Sequence, residues 1–152
     1  MKVVIQRVTA ASVEIEGAIY SSIKNGLLVL LGISEIDEKE DVDWLCKKIV
    51  GLRIFADEKG LMNLSVKDIH GQLLLVSQFT LYGDVNKGNR PSFIQAARPE
   101  KAIPLYEYFI QQLNKYDIEV CTGKFGADMK VSLTNDGPVT IIIDSKKQAN
   151  DN

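Results

Sequence analysis

The apolar run LLLV at 73–76 ends in Ser77-Gln78-Phe79-Thr80. Where a buried strand leaves its sheet, backbone N–H groups lose their ladder partners and become free to face a ligand. Donors of that kind build oxyanion holes. From its own residues SQFT therefore reads either as a polar strand edge or as the electrophilic half of a hydrolytic site. A second candidate is NDGPVT at 135–140, which runs without a break into IIID. The stretch VTIIID is β-branched and apolar, as strands are, yet Gly137-Pro138 sits at its mouth. Proline donates no ladder hydrogen bond, and glycine admits backbone angles closed to other residues.

Other chemistries find no residues to carry them. His70, the single histidine, lies in the turn DIHG, and no Ser-Asp or Cys motif places it in a triad. One histidine and two distant cysteines offer no metal-ligand spacing. GDVNKGN at 83–89 has glycines and a lysine without the spacing of a phosphate cradle. An enzyme with this sequence is expected to work without metal, cofactor or catalytic histidine. In KFGADM at 124–129, Phe125 and Met129 read either as core filler or as the lining of a pocket for an adenine ring.

The elements that must position these residues follow from periodicity. KVVIQRV and SVEIE read as strands, Glu16-Gly17 as a hairpin turn into AIYSSI, and GLLVLLGI as a buried strand after Asn25-Gly26. Asp37 with Glu40 resembles a capping box, and Val42, Leu45, Cys46 and Ile49 at helical spacing predict a helix over 38–50. LRIF, LMNLSV and QLLLVSQ follow as strands. Pro99 suits a first helical turn, and Ala102, Leu105, Tyr106, Phe109, Leu113 and Tyr116 form an apolar stripe to about 115. IEVCT, KVSLTN and VTIIID complete a strand-rich end. The class is α+β, with two main helices and a mainly antiparallel, curved or barrel-like sheet whose strands are mostly hairpin-linked.

The chain has 152 residues, of which 45% are hydrophobic, enough for one domain with a proper core. Residues 1–145 are expected to form that domain, and 146–152, ending KKQANDN, to be a disordered tail. The aliphatic run LLVLL at 27–31 is far shorter than the roughly 20 residues that cross a bilayer. MKVVIQRV lacks signal-peptide architecture, so the expectation is a soluble cytosolic protein with Cys46 and Cys121 as free thiols. A net charge of −2 excludes binding nucleic acid through a global positive field. Local charge differs: 35–43 holds six acids against one lysine, while 84–101 holds four bases against two acids. A phosphate backbone would approach the second stretch, where Lys87, Arg90 and Arg98 are the candidate contacts.

SQFTL at 77–81 and NDGPVT at 135–140 resemble the two signature motifs of the D-aminoacyl-tRNA deacylases, the bacterial and eukaryotic family once called D-tyrosyl-tRNA deacylase. Both match without a departure, Asp136 being taken as a variable position. MKVVIQRV, RPSF at 90–93 and FGADM at 125–129 are also similar to the family, so the resemblance spans essentially the whole chain.

The resemblance implies a homodimer in which Gly137-Pro138, with a cis peptide bond, enters the active site of the other subunit, held by Arg7. It implies a catalytic set of Ser77, Gln78, Phe79 and Thr80, and a substrate-binding and chiral-selection set of Gly137, Pro138, Arg7, Phe125, Met129 and Ala102. The substrate class is an amino acid esterified to the terminal adenosine of tRNA, with no cofactor. The Phe79 N–H is the candidate oxyanion donor, and the substrate's own 2′-OH is favoured over Thr80 for activating water, because Thr80 has no evident base. Carbonyls set against the α-carbon would reject L side chains, accept D side chains and leave glycine unopposed. A glycyl ester misloaded on tRNA for alanine is then also a substrate. The rivals are a non-catalytic module that binds tRNA 3′ ends and an esterase with Thr80 as nucleophile.

Overall fold

The computed structural model describes residues 1–147. The first strand, β1 (Lys2–Ile15), runs unbroken through the two segments expected as separate strands. The turn at Glu16 and Gly17, with φ of 51° and 79°, leads into β2 (Ala18–Ile23), and β3 (Gly26–Gly32) follows. Two successive positive φ values are what a tight hairpin between right-twisted strands requires. One edge of β1 carries β3 along Lys2–Val8 and β2 along Ala11–Ile15. Its other edge carries β8 (Lys130–Asp144) over nearly its whole length, and all three pairings are antiparallel. KVSLTN and VTIIID are thus one strand passing through Gly137-Pro138, where the register shifts.

The rest of the sheet departs from the hairpin-linked arrangement. Helix α1 (Lys39–Gly51) carries the chain from β3 to β6 (Gln72–Ser77), and α2 (Pro99–Leu113) carries it from β6 to β7 (Glu119–Thr122). Crossover connections make parallel neighbours, so β3, β6 and β7 run in the same direction. LLVLL and LLLV are continuous apolar runs because both faces are covered. Leu27, Val29, Leu31, Leu73 and Leu75 pack on the helices through Leu45, Ile49, Leu105 and Phe109, while Leu28, Leu74 and Val76 join Val8, Val13 and Ile23 on the other face. The sheet curls toward closure: Ser21 Oγ on β2 donates to the Thr122 carbonyl on β7 at 2.9 Å. The result is α+β with two helices and a nearly barrel-shaped mixed sheet.

Smaller corrections concern element ends. LRIF and LMNLSV shrink to a two-stranded ladder of β4 (Phe55–Ala56) and β5 (Met62–Leu64). The capping carboxylate of α1 is Asp41, whose Oδ2 accepts the Glu38 N–H at 2.9 Å, one residue beyond the expected pair. Asp37 is diverted inward, where it accepts from the Met1 nitrogen and, at 2.7 Å, from the Ser34 N–H. The expected tail, 146–152, falls mostly outside the described residues. Ser145 Oγ donates to Asp41 at 2.7 Å and Lys146 Nζ approaches the same carboxylate at 2.8 Å, whereas 148–152 lie outside the described residues. Cys46 and Cys121 are free, and burial, with Asp43 nearby, pushes the Cys46 thiol up to about 12. His70 is exposed.

Candidate functional site

Three parallel strands end on one side of the sheet, and in parallel sheets the crevice beyond the strand C-termini is where ligands bind. β6 ends at Ser77, opposite Leu31. The Gln78 N–H makes one last sheet-like bond, to the Leu31 carbonyl at 2.7 Å, and the chain then enters a 3-10 turn (Phe79–Tyr82). Gly32, at the end of β3, lets this turn pack close: a Cβ there would stand 3.1 Å from both Gln78 O and Leu81 Cβ.

The turn sets the donors. Leu81 is its first residue with a bonded N–H, to Gln78 O at 3.2 Å, so the N–H groups of Phe79 and Thr80 precede the ladder. Both residues are exposed, and the Phe79 ring meets Phe93 of the RPSF segment edge-on, 5.1 Å between centroids. The Thr80 hydroxyl accepts from Gln78 Nε2. An amide donor cannot take a proton, so the threonine is oriented without being activated.

Residues 123–129 run alongside. Gly123 N–H donates to Leu75 O at 2.9 Å, continuing the β6–β7 register past Thr122 toward the SQFT end. Phe125 packs on Tyr106 at 5.6 Å, and Met129 packs on the second core cluster with its Sδ against Gly123. Both side chains are half-buried, so each fills core on one side and shows a flank on the other. Ala102, expected among the substrate-binding residues, is 4% exposed and belongs to the core beneath α2.

The Gly-Pro turn is a separate construction. Gln6 pairs with Thr140 and Val8 with Asn135, so Asp136–Val139 is looped out of the β1–β8 ladder. Asn135 substitutes for the missing backbone pairing: its Oδ1 accepts the Val139 N–H at 2.7 Å and its Nδ2 donates to the Val139 carbonyl at 3.2 Å. Arg7 fills the gap from β1. Its Nε donates to Asp136 O at 2.9 Å and its second nitrogen to Ile54 O at 2.7 Å. The Gly137–Pro138 peptide is cis and Gly137 has φ 137°, a conformation that favours glycine. Gly137 and Pro138 are exposed. Of these supports the sequence singles out Arg7 but not Asn135 or Ile54. The only signal for Asn135 is the general tendency of an Asn side chain to bond backbone a few residues on.

Within the chain the Gly-Pro turn and the SQFT end lie apart. Arg7 pairs with Leu27, which pairs with Leu73, and Ser77 lies four residues further along β6. That is about 13 Å along the strands, and β8 and β6 are separated by three strand spacings, about 14 Å. Gly137-Pro138 projects to solvent. Lys87, Arg90 and Arg98 are exposed in the segment that joins the 3-10 turn to α2. Among the described residues no three His, Cys, Asp or Glu side chains converge as a metal site would need, and no helix is long and apolar enough to cross a membrane.

The nearly barrel-shaped α+β domain thus carries two exposed features, the N–H groups of Phe79 and Thr80 at its parallel strand ends and a braced Gly-Pro turn. A family model described as D-Tyr-tRNA(Tyr) deacylase matches residues 4–144, and the chain belongs to that family of enzymes. A D-aminoacyl-tRNA deacylase of Phocaeicola vulgatus is 58% identical over 149 residues, 97% of this chain and 99% of its own length. One of Flavobacterium psychrophilum is 60% identical over the same shares. A solved structure titled c-Myc DNA Unwinding Element Binding Protein superposes with a TM-score of 0.90 at 46% identity, covering 95% of this chain and 98% of its own. A probable eukaryotic D-amino acid tRNA deacylase, at TM-score 0.79 and 18% identity over 93% of this chain and 97% of its own, shares the fold.

Proposed function

We propose that the protein hydrolyses the ester of D-aminoacyl-tRNA and spares the L form. The observation that carries this reading is the pairing of two exposed features, the N–H groups of Phe79 and Thr80 and the braced Gly137-Pro138 turn, which one protomer holds apart. A homodimer that inserts the turn of each copy beside the Phe79 of the other completes the site. Carbonyls of Gly137 and Pro138 then face the substrate α-carbon, where an L side chain collides and a D side chain does not. A glycyl ester presents no side chain to either direction, so glycyl-tRNA, including glycine on tRNA for alanine, is also cleaved.

The chemistry needs few groups. Water adds to the ester carbonyl, the oxyanion is received by the Phe79 N–H with Thr80 beside it, and collapse breaks the bond to the ribose 3′ oxygen. A proton passes to that oxygen, releasing free D-amino acid and tRNA. The Thr80 hydroxyl is turned to Gln78, so the ribose 2′-OH is the group that orients the water, accepting its proton while passing its own to the 3′ oxygen. Phe125 and Met129 offer an apolar flank for the terminal adenine. A tRNA substrate puts the reaction in the cytoplasm.

Turnover of D-tyrosyl-tRNA beside L-tyrosyl-tRNA tests the reading, and a large excess for the D form is expected. Equal rates would remove chiral selection. The solved relative titled for binding a DNA element makes nucleic-acid binding without turnover the rival, and absence of hydrolysis with retained tRNA binding would favour it.

A further inference from the structure

We propose that the groove between Asp84 and Gln95 holds the phosphate backbone of the single-stranded RNA leading to the terminal adenosine, with Lys87 and Arg90 on its phosphates. The proposal rests on the deacylase reading and names the part of the substrate that the catalytic pocket leaves uncovered.

The groove is built rather than incidental. Asp84 and Ser92 exchange both backbone hydrogen bonds, at 2.8 and 2.9 Å, and close the intervening segment into a loop. The Asn86 N–H donates to Asp84 Oδ1 at 2.9 Å, which fixes the first corner. The concavity it encloses has a volume of about 490 Å³, lined by Lys87, Asn89, Arg90, Ser92 and Gln95 among others. Lys87 and Arg90 are exposed, and neither forms an ion pair among the described residues. The adjoining carboxylates are engaged, Asp84 by Asn86 and Glu35 by the Arg98 N–H at 2.7 Å. Asn89 and Gln95 add neutral donors, so the lining suits an anion threaded along it.

Its position ties it to the reaction. Ser92 and Ile94 line the groove, while Phe93 between them packs against Phe79, whose N–H is the oxyanion donor. Arg90 is three residues from Phe93, at most about 11 Å along the chain. A single strand stacked at about 3.4 Å per nucleotide covers that distance in about three nucleotides. Ile94, 87% exposed at the rim, gives a base a surface to lie on. In a chain of net charge −2, phosphate contacts confined to such a place bind one end of a nucleic acid rather than its length.

The test compares 3′-O-D-tyrosyl-adenosine, which has no phosphate, with D-tyrosyl-tRNA, and measures binding of uncharged tRNA separately. The proteins are the wild type, Lys87→Gln/Arg90→Gln, the reversal Lys87→Glu/Arg90→Glu, and Lys47→Gln on the exposed face of α1 as control. The wild type is expected to prefer the tRNA ester. The double neutral variant should lose about tenfold or more of that preference through KM, and its log–log salt dependence should flatten by about 1.4, near 0.7 per phosphate released. The reversed variant should lose more, and Lys47→Gln should match the wild type. Unchanged preference, tRNA binding and salt slope in both groove variants would overturn the proposal. Wild-type protein that cleaves neither ester would overturn the deacylase reading instead, and weakened tRNA binding in the variants would still uphold the groove.

Discussion

Arg7 Nε lies 2.9 Å from the carbonyl oxygen of Asp136, so a guanidinium on β1 braces the turn that β8 loops out. Its other bond, to Ile54 O, fixes the guanidinium from behind. Arg7→Ala removes both bonds and should cost about 1.5–3 kcal/mol of stability, as charged hydrogen bonds to partly buried groups do. Discrimination between D- and L-aminoacyl-tRNA should fall more than D-ester turnover. Denaturant melts beside the two hydrolysis rates check this, and unaltered discrimination in a folded variant would detach Arg7 from the turn's function.

Gly137 has no room for a side chain. At φ 137° an added Cβ would stand 2.8 Å from Val139 Cγ2 and 3.1 Å from the Arg7 guanidinium. Gly137→Ala should therefore displace the turn, at a cost of about 1–3 kcal/mol for the disfavoured backbone conformation. The expected outcome is reduced D/L selectivity with the rest of the sheet intact, measured by rate ratio and circular dichroism.

The Thr80 hydroxyl is oriented by an amide donor, Gln78 Nε2, which cannot take its proton. Thr80→Val should keep turnover within about tenfold of wild type, short of the roughly 10²–10⁴-fold that loss of a general base causes. Chemical quench of a single turnover should trap no acyl-enzyme. Complete loss in a folded protein would restore Thr80 as nucleophile.

In the proposed reaction the ribose 2′-OH activates the water. A tRNA ending in 2′-deoxyadenosine and charged at its 3′-OH should bind nearly as well, losing one hydrogen bond of about 0.5–1.5 kcal/mol. Its hydrolysis should slow by about 10²–10⁴-fold. Single-turnover rates separate the two effects, and an undiminished rate would require a protein base.

Asp41 ties the start of α1 to the end of β8. Burial pushes its carboxyl up, but hydrogen bonds from Lys146, the Glu38 N–H and Ser145 outweigh burial and hold it below the usual carboxylate range. A carboxyl depressed in the folded state stabilises above its unfolded pKa, about 3.9, and that contribution is lost as pH falls through the folded value. Asp41→Asn should lower stability at neutral pH by about 1–3 kcal/mol. The gap from wild type should close in acid, as followed by urea midpoints against pH.

Local chemistry was legible in the sequence because it depends on residue type and spacing. The donors after LLLV, the interruption at Gly137-Pro138, the hairpin at Glu16-Gly17, both helices and the buried Cys46 all follow from turn chemistry and periodicity that neighbours in sequence impose. Tertiary structure decided what long-range pairing controls. The runs GLLVLLG and QLLLVS look alike whether their neighbours are parallel or antiparallel, so only the crossovers through α1 and α2 reveal that β3, β6 and β7 end together. Arg7 acts through Asp136 and Ile54, contacts that exist only once β8 has paired with β1 and the chain around Ile54 has folded against them. The distance between Phe79 and Gly137-Pro138 likewise follows from register across four strands, which no local signal encodes.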